Sequence, residues 1–157
     1  MAKITKKTKT NNSIISANHY LNFNGNTEEA FNFYKSVFGG EFLILQRLKD
    51  APKEIQKNIP KQELNKILFI SLAINKNVSL VGTEAPESMG FKLIEGNNHH
   101  ISLEVSDKKT ATEIFKKLSK DGEIEYSIQN MFWGAYFGSF KDKFGINWMI
   151  SYTYPKK

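Results

Sequence analysis

An internal repeat with an offset of 82 residues is the feature that most constrains how this 157-residue chain can fold. At that offset Leu21 corresponds to Leu103, and Phe33 corresponds to Phe115. In each half, a segment of alternating apolar and polar residues precedes an amphipathic segment that ends at glycine. One such unit cannot bury its apolar face alone, so two similar units in one chain predict two modules that share a core.

Each half is predicted to contain one helix and four strands in the order βαβββ. The first helix is predicted over residues 27–38, with Asn26 as its N-cap and Gly39-Gly40 after its last turn. The second is predicted from Asp107, its N-cap, to about Lys120. Apolar–polar alternation and turn residues predict the strands near residues 14–24, 41–49, 66–74, 77–83, 99–106, 123–129, 132–141 and 146–152.

These elements predict an α+β fold for one domain at residues 14–153. Two paired βαβββ modules, at about 14–83 and 98–153, are expected to form a curved mixed sheet with helices outside. The long loops 50–65 and 84–98 are expected to supply pocket walls. Residues 1–13, which are rich in lysine, threonine and asparagine, are predicted to be a disordered arm.

The distribution of charge argues against a nucleic-acid partner, although the net charge is +6. Of the 22 basic residues, six are lysines in the first nine and last two positions, and the other 16 balance the 16 acidic residues. Arg47 is the only arginine in the sequence, and arginine is the usual reader of base edges. A solvated, lysine-rich terminus explains the charge without a nucleic acid.

Several other classes of protein are excluded by what the sequence contains. There is no cysteine, so neither a disulfide nor a thiolate nucleophile is available. No apolar stretch is long enough to cross a membrane, and no secretory signal is visible. The glycines do not match a phosphate-binding loop, a dinucleotide fingerprint or a nucleophile elbow. We therefore expect a cytoplasmic protein with no membrane partner and no cofactor.

Three sequence motifs, in the same order, resemble the PhnB-like branch of the vicinal-oxygen-chelate (glyoxalase/bleomycin-resistance/dioxygenase) superfamily. Residues 20–40 read YLNFNGNTEEAFNFYKSVFGG, residues 132–138 read FWGAYFG, and residues 142–148 read DKFGINW. The resemblance covers about residues 17–153. It implies a small-molecule cavity inside each curved sheet and a homodimer. In metal-using relatives, the first and last strand of each module supply His, Glu or Gln ligands to a divalent ion.

In the second module, the residue at the first-strand ligand position is His100. Alternation predicts that Ile101, Leu103 and Val105 face the helix, so that His100, Ser102 and Glu104 face the cavity. The last-strand position falls on Met149, which is a poor ligand for a hard divalent ion.

In the first module, two registers are open. Counting back from the helix selects His19, whereas alternation and the repeat select Asn18, with Tyr20 and Asn22 also facing the cavity. The last-strand position falls near Val81. Glu84 and Glu104 are nearby carboxylates that could complete a metal site.

These positions predict a binding or catalytic pocket without a metal. The alternative is a divalent-metal-dependent lyase, isomerase or dioxygenase. The predicted ligand-binding residues are His100, Ser102, Glu104, Asn18, Tyr20, Asn22, Met149 and the aromatic Trp133.

Overall fold

The computed structural model describes Ser13 and residues 18–155, so most of the predicted arm lies outside the described residues. The first module consists of β1 (His19–Phe23), α1 (Thr27–Phe38), β2 (Glu41–Arg47), the short helix α2 (Lys53–Gln56), β3 (Ile67–Asn75) and β4 (Val78–Glu84). The second consists of β5 (Ile101–Glu104), α3 (Lys108–Leu118), β6 (Glu123–Asn130), β7 (Ala135–Lys141) and β8 (Asn147–Thr153). In the described part of the chain, no helix is long and apolar enough to span a membrane. The division into an arm and a domain at 14–153 stays a prediction.

The two modules have the same sheet topology, which confirms the predicted α+β fold of two βαβββ units. The strand order is β1-β4-β3-β2 in the first sheet and β5-β8-β7-β6 in the second. In each sheet the first strand pairs in parallel with the last, and the other neighbours are antiparallel. The two four-stranded sheets are separate in the described residues.

The helices α1 and α3 each pack on one face of their own sheet, over a glycine of a central strand. Phe31 of α1 covers Gly82, where an added Cβ would lie 2.5 Å from the ring. Phe115 of α3 covers Gly138, where the corresponding distance is 2.6 Å. A side chain at either glycine would therefore force the helix away from its sheet.

The helices also join the two modules, because α1 packs against the second sheet as well as its own. Phe33 lies 5.6 Å from Phe144, and Phe38 lies 5.8 Å from Trp148, measured between ring centroids. Trp148 is fully buried, and the buried apolar side chains of both modules form one cluster. The helix-facing sides of the two sheets therefore share one core.

A buried carboxylate, Asp142, links α1 to the turn between β7 and β8. Its Oδ2 accepts hydrogen bonds of 2.8 Å from the Tyr34 hydroxyl and from Trp148 Nε1. Its Oδ1 accepts from the backbone N–H groups of Phe144 at 2.8 Å and Ile146 at 3.0 Å. Asp142 thus fixes the turn and the contact between modules with one side chain.

Both predicted N-cap positions are confirmed, Asn26 for α1 and Asp107 for α3, but only Asp107 caps its helix with its side chain. Asn26 makes no side-chain cap hydrogen bond. Instead, the buried Glu84 carboxylate accepts from the Gly25 backbone N–H and the Thr27 hydroxyl. The Asp107 side chain accepts from the Thr110 N–H at 2.8 Å, as expected of an N-cap. Local sequence could not show that the end of β4 reaches the start of α1.

Candidate functional site

Each sheet has an open face, by which we mean the face opposite its helix. In the first sheet the open face carries Tyr20, Asn22, Phe69, Ser71, Val81 and Thr83. In the second sheet it carries His100, Ser102, Glu104, Phe137, Ser139, Met149 and Ser151. The assignment follows from strand alternation, because the intervening residues Leu21, Leu80, Ile101 and Ile150 are buried in the shared core.

The second open face brings together side chains that are far apart in the sequence. Ser102 is paired with Met149 across β5 and β8, and Met149 is paired with Ser139 across β8 and β7. His100 precedes β5 by one residue and continues its alternation. The structure therefore places the predicted residues His100, Ser102 and Met149 side by side, while their role in binding stays a prediction.

The open face of the second sheet carries a hydrogen bond between His100 and Glu125, 3.0 Å long from Nε2 to Oε2. These residues come from the two edges of the sheet, next to β5 and on β6. Three inter-strand spacings separate such edges by roughly 14 Å in a flat sheet. The two long side chains and a sheet that curves toward its open face together span this distance, and the pair stays partly exposed to solvent.

The direction of the hydrogen bond between His100 and Glu125 follows from the ionised state of Glu125. The hydrogen bond from His100 is the largest cause of a lowered pKa of Glu125, and a hydrogen bond from Ser139 acts in the same direction. An ionised carboxylate only accepts hydrogen bonds, so His100 Nε2 is the donor. In the neutral imidazole, Nδ1 then keeps the lone pair that can accept a proton or a hydrogen bond.

Glu125 was missed by the sequence analysis. The β6 segment has exposed side chains on both faces and two register shifts against β7, so simple alternation does not assign Glu125 to a face. No local motif marks it, because its partner lies 25 residues away. Its role depends on the curvature of the sheet.

Two other predicted site residues lie at the margin of the open face. The carboxylate of Glu104 accepts a 2.6 Å hydrogen bond from the Thr153 backbone N–H, which holds it against β8. Trp133 was predicted on a strand, but residues 131–134 form the turn between β6 and β7. Its ring, 53% exposed, packs edge-on against Phe137, with 5.9 Å between centroids. It forms an aromatic wall at one end of the face.

Among the described residues, the first open face has no hydrogen bond comparable to that between His100 and Glu125. Tyr20, 52% exposed, lies 6.1 Å from Phe69, and Asn22 is exposed beside it. Asn18 is exposed and precedes β1. His19 alternates with the buried Leu21 and Phe23, so it lies off the open face.

The donor set does not fit a four-ligand metal cage. Val81 and Met149 have no oxygen or imidazole to offer a hard divalent ion. Glu84, one candidate to complete the site, is buried on the helix side of β4 and already binds Gly25 and Thr27. Residues 18–155 contain no group of three or more His, Asp or Glu side chains arranged to hold a metal.

Known proteins are similar to this chain in sequence and in fold. The chain is 29% identical over 138 residues to protein YjdN of Escherichia coli K12, with 84% of this chain and 91% of YjdN covered. The structure of PA1353 from Pseudomonas aeruginosa superposes with a TM-score of 0.77 at 28% identity, over 89% of this chain and 98% of that protein.

The same fold occurs in a more distant structure, a Bacillus cereus PhnB protein described as a putative 3-demethylubiquinone-9 3-methyltransferase. It superposes with a TM-score of 0.71 at 21% identity, over 87% of this chain and 98% of that one. The sequence profile of one superfamily matches residues 16–150, which is most of the chain. The chain therefore belongs to the Glyoxalase/Bleomycin resistance protein/Dioxygenase superfamily.

Proposed function

We propose that this protein binds a small organic molecule on the open face of the second sheet, with the His100–Glu125 pair as the polar centre of the site. The observation that carries the proposal is the 3.0 Å contact between these two side chains across the curved sheet. Pockets of this kind combine apolar walls with a few fixed polar groups. Here Phe137, Met149 and Trp133 supply the walls.

The proposed role of Glu125 is to orient His100. Its carboxylate holds Nε2 as a donor and leaves Nδ1 to meet a donor group of the ligand. The same arrangement lets an imidazole act as a general base if the ligand carries an acidic proton. Ser102, exposed on the same strand face, supplies a second hydrogen-bonding group.

The proposed site works without a metal. The supporting observation is the donor set: valine and methionine occupy two of the positions at which metal-using relatives carry ligands, and His100 is engaged by Glu125. The alternative, a metal-dependent lyase, isomerase or dioxygenase, would need ligands from other positions. The cytoplasmic location and the absence of a nucleic-acid partner stay predictions.

His100→Ala is expected to weaken ligand binding roughly 10- to 100-fold, because it removes about one or two hydrogen bonds between the imidazole and the ligand. The loss in stability is expected to be no larger than that of a surface change, about 0.5 kcal/mol, because the side chain borders an open face. A screen of small aromatic and aliphatic acids, amines and carbonyl compounds by NMR shift changes would supply the ligand. Titrations of that ligand would then compare the variants.

Glu125→Gln should also weaken binding. The neutral amide can donate as well as accept a hydrogen bond, so it no longer requires His100 Nε2 to be the donor. Glu113→Gln, on α3 and away from both open faces, is the matched control and should bind like the wild type. Two results would count against the site. One is a ligand that changes NMR shifts only of residues outside the second open face, and the other is equal affinity of His100→Ala, Glu125→Gln and Glu113→Gln for the ligand.

We further propose that a second copy of the chain covers the open faces. Each of these faces carries an aromatic side chain that is about half exposed, Tyr20 on the first and Trp133 at the margin of the second. Phe132, beside Trp133 in the β6–β7 turn, is 96% exposed. Apolar surface of this kind on a folded chain marks a site of association. A homodimer would enclose the His100–Glu125 pair.

Size-exclusion chromatography with light scattering should therefore give a mass of about 36 kDa, twice the 18.0 kDa of the chain. Phe132→Glu should shift the species toward the monomer without a loss of folded signal. Ile55→Glu, which changes an exposed apolar side chain on α2, is the control and should leave the dimer intact. A wild-type protein that stays monomeric at high concentration would contradict the proposed dimer.

A further inference from the structure

Two imidazole rings lie close together where the two modules meet. His19 opens β1, and His99 lies two residues before β5. Their ring centroids are 5.9 Å apart, with the ring planes inclined by 45°. His19 alternates with Leu21 and Phe23, so this pair lies away from the open faces and from the His100–Glu125 pair.

The backbone on both sides of the pair is held in place. His19 is paired with Leu80 in the parallel β1–β4 ladder. The buried Asn147 side chain donates from Nδ2 to the carbonyls of His99, at 3.2 Å, and Gly96, at 3.0 Å. The two rings are therefore presented by anchored segments of different modules.

Neither ring has a hydrogen-bond or salt-bridge partner among the residues that the structure describes. Burial, and in second place the nearby His99, lower the pKa of His19. A neutral imidazole keeps the lone pair with which it binds a metal ion. The pair thus offers two unused ligands of the same type.

We propose that His19 and His99 together bind one borderline divalent transition-metal ion, of the class of Zn²⁺, Ni²⁺ or Cu²⁺, and that this ion ties the first module to the second. Imidazole suits these ions, whereas Mg²⁺ and Ca²⁺ prefer oxygen. Two imidazoles on one tetrahedral Zn²⁺, at about 2.0–2.1 Å per bond, place their ring centroids about 5 Å apart. The two centroids, now 5.9 Å apart, would have to approach by about 1 Å, and side-chain torsions would have to turn one nitrogen of each ring toward the ion.

Such an ion would act on stability rather than on the ligand site. The described part of the chain offers no third His, Asp or Glu at this position, so water would complete the coordination. The affinity should accordingly be lower than that of a structural zinc site with four protein ligands. Because the metal binds only the folded arrangement of the two modules, it raises the melting temperature by mass action.

The test is the melting temperature of the full chain, titrated with ZnCl₂ after removal of metals by a chelator. The expected result is an increase in Tm that grows with zinc concentration and does not occur with MgCl₂. His19→Ala and His99→Ala should each abolish the increase. His100→Ala, which changes the adjacent residue on the opposite face, should keep it.

Calorimetric titration of zinc into the same four proteins at 25 °C checks the result without unfolding. One binding event in the wild type and in His100→Ala, lost in the other two variants, supports the site. Three results would overturn the site: a zinc-dependent increase in Tm that persists in His19→Ala or His99→Ala, one that is lost in His100→Ala, or no increase in the wild type. None of these outcomes depends on ligand binding at the second open face, so the two proposals fail separately.

Discussion

Replacing Asp142 with alanine is expected to lower the free energy of unfolding by about 4 kcal/mol. The side chain is 3% exposed and accepts four hydrogen bonds, two of them from the fully buried Tyr34 and Trp148. A buried donor left without a partner costs about 1–3 kcal/mol, and neighbouring losses do not add fully. Most domains have only about 5–15 kcal/mol to lose, so this variant should be close to unfolding.

Asp142→Asn is the matched control, because it keeps the shape and one acceptor oxygen while removing the charge. We expect it to lose about 2 kcal/mol. Urea unfolding followed by circular dichroism measures both variants. An Asp142→Ala protein within about 0.5 kcal/mol of the wild type would show that the carboxylate does not join the modules.

The pH dependence of the free energy of unfolding of the wild type and of Asp142→Asn tests the protonation of Asp142. Burial, the largest cause, raises the pKa of Asp142 against the opposing effect of its hydrogen bonds. The folded state then holds the proton more tightly than the unfolded chain. The stabilisation from this group is complete below the unfolded pKa, about 3.9, and is lost as the pH rises through the folded pKa. The difference in the free energy of unfolding between the wild type and Asp142→Asn should therefore be largest at acid pH.

The fold could be predicted from the sequence because its signals are local and occur twice. The helix predicted over residues 27–38 is observed as Thr27–Phe38, since an apolar stripe and a glycine stop define it without help from the rest of the chain. The strands of the second module are displaced only at their ends. The main error was at residues 132–134, where the apolar pair Phe132-Trp133 resembles a strand but Gly134, with φ of +89°, closes a turn.

The site was less predictable because its contacts are not local. Strand periodicity placed His100 and Ser102 on one face, which needs only the alternation of a single strand, and the family resemblance added Met149. It could not reveal Glu125, which reaches His100 only because the sheet curves. Nor could it pair His19 with His99, since that contact depends on how the two modules pack. Periodicity specifies the face of a side chain but not its partner across the fold.

Two adjacent glycines after α1 provide the last test, because they separate backbone strain from steric overlap. Gly39 and Gly40 have φ of +75° and +78°, a region that disfavours any residue with a Cβ. A Cβ on Gly39 would have no atom within 4 Å, whereas a Cβ on Gly40 would lie 2.0 Å from the Ala73 carbonyl oxygen. That oxygen belongs to β3, and Ala73 pairs with Glu41 at the start of β2.

Gly39→Ala should therefore cost only the strain, about 1–3 kcal/mol. Gly40→Ala adds a collision with backbone that cannot move without breaking the β2–β3 pairing, so its loss should be larger by at least about 2 kcal/mol, enough to prevent folding at 37 °C. Thermal unfolding of both variants gives the comparison, with the Gly39 variant as the control for strain. Equal losses in the two proteins would mean that β2 can leave β3 at little cost, and that the outer edge of the first sheet is less fixed than its hydrogen bonds indicate.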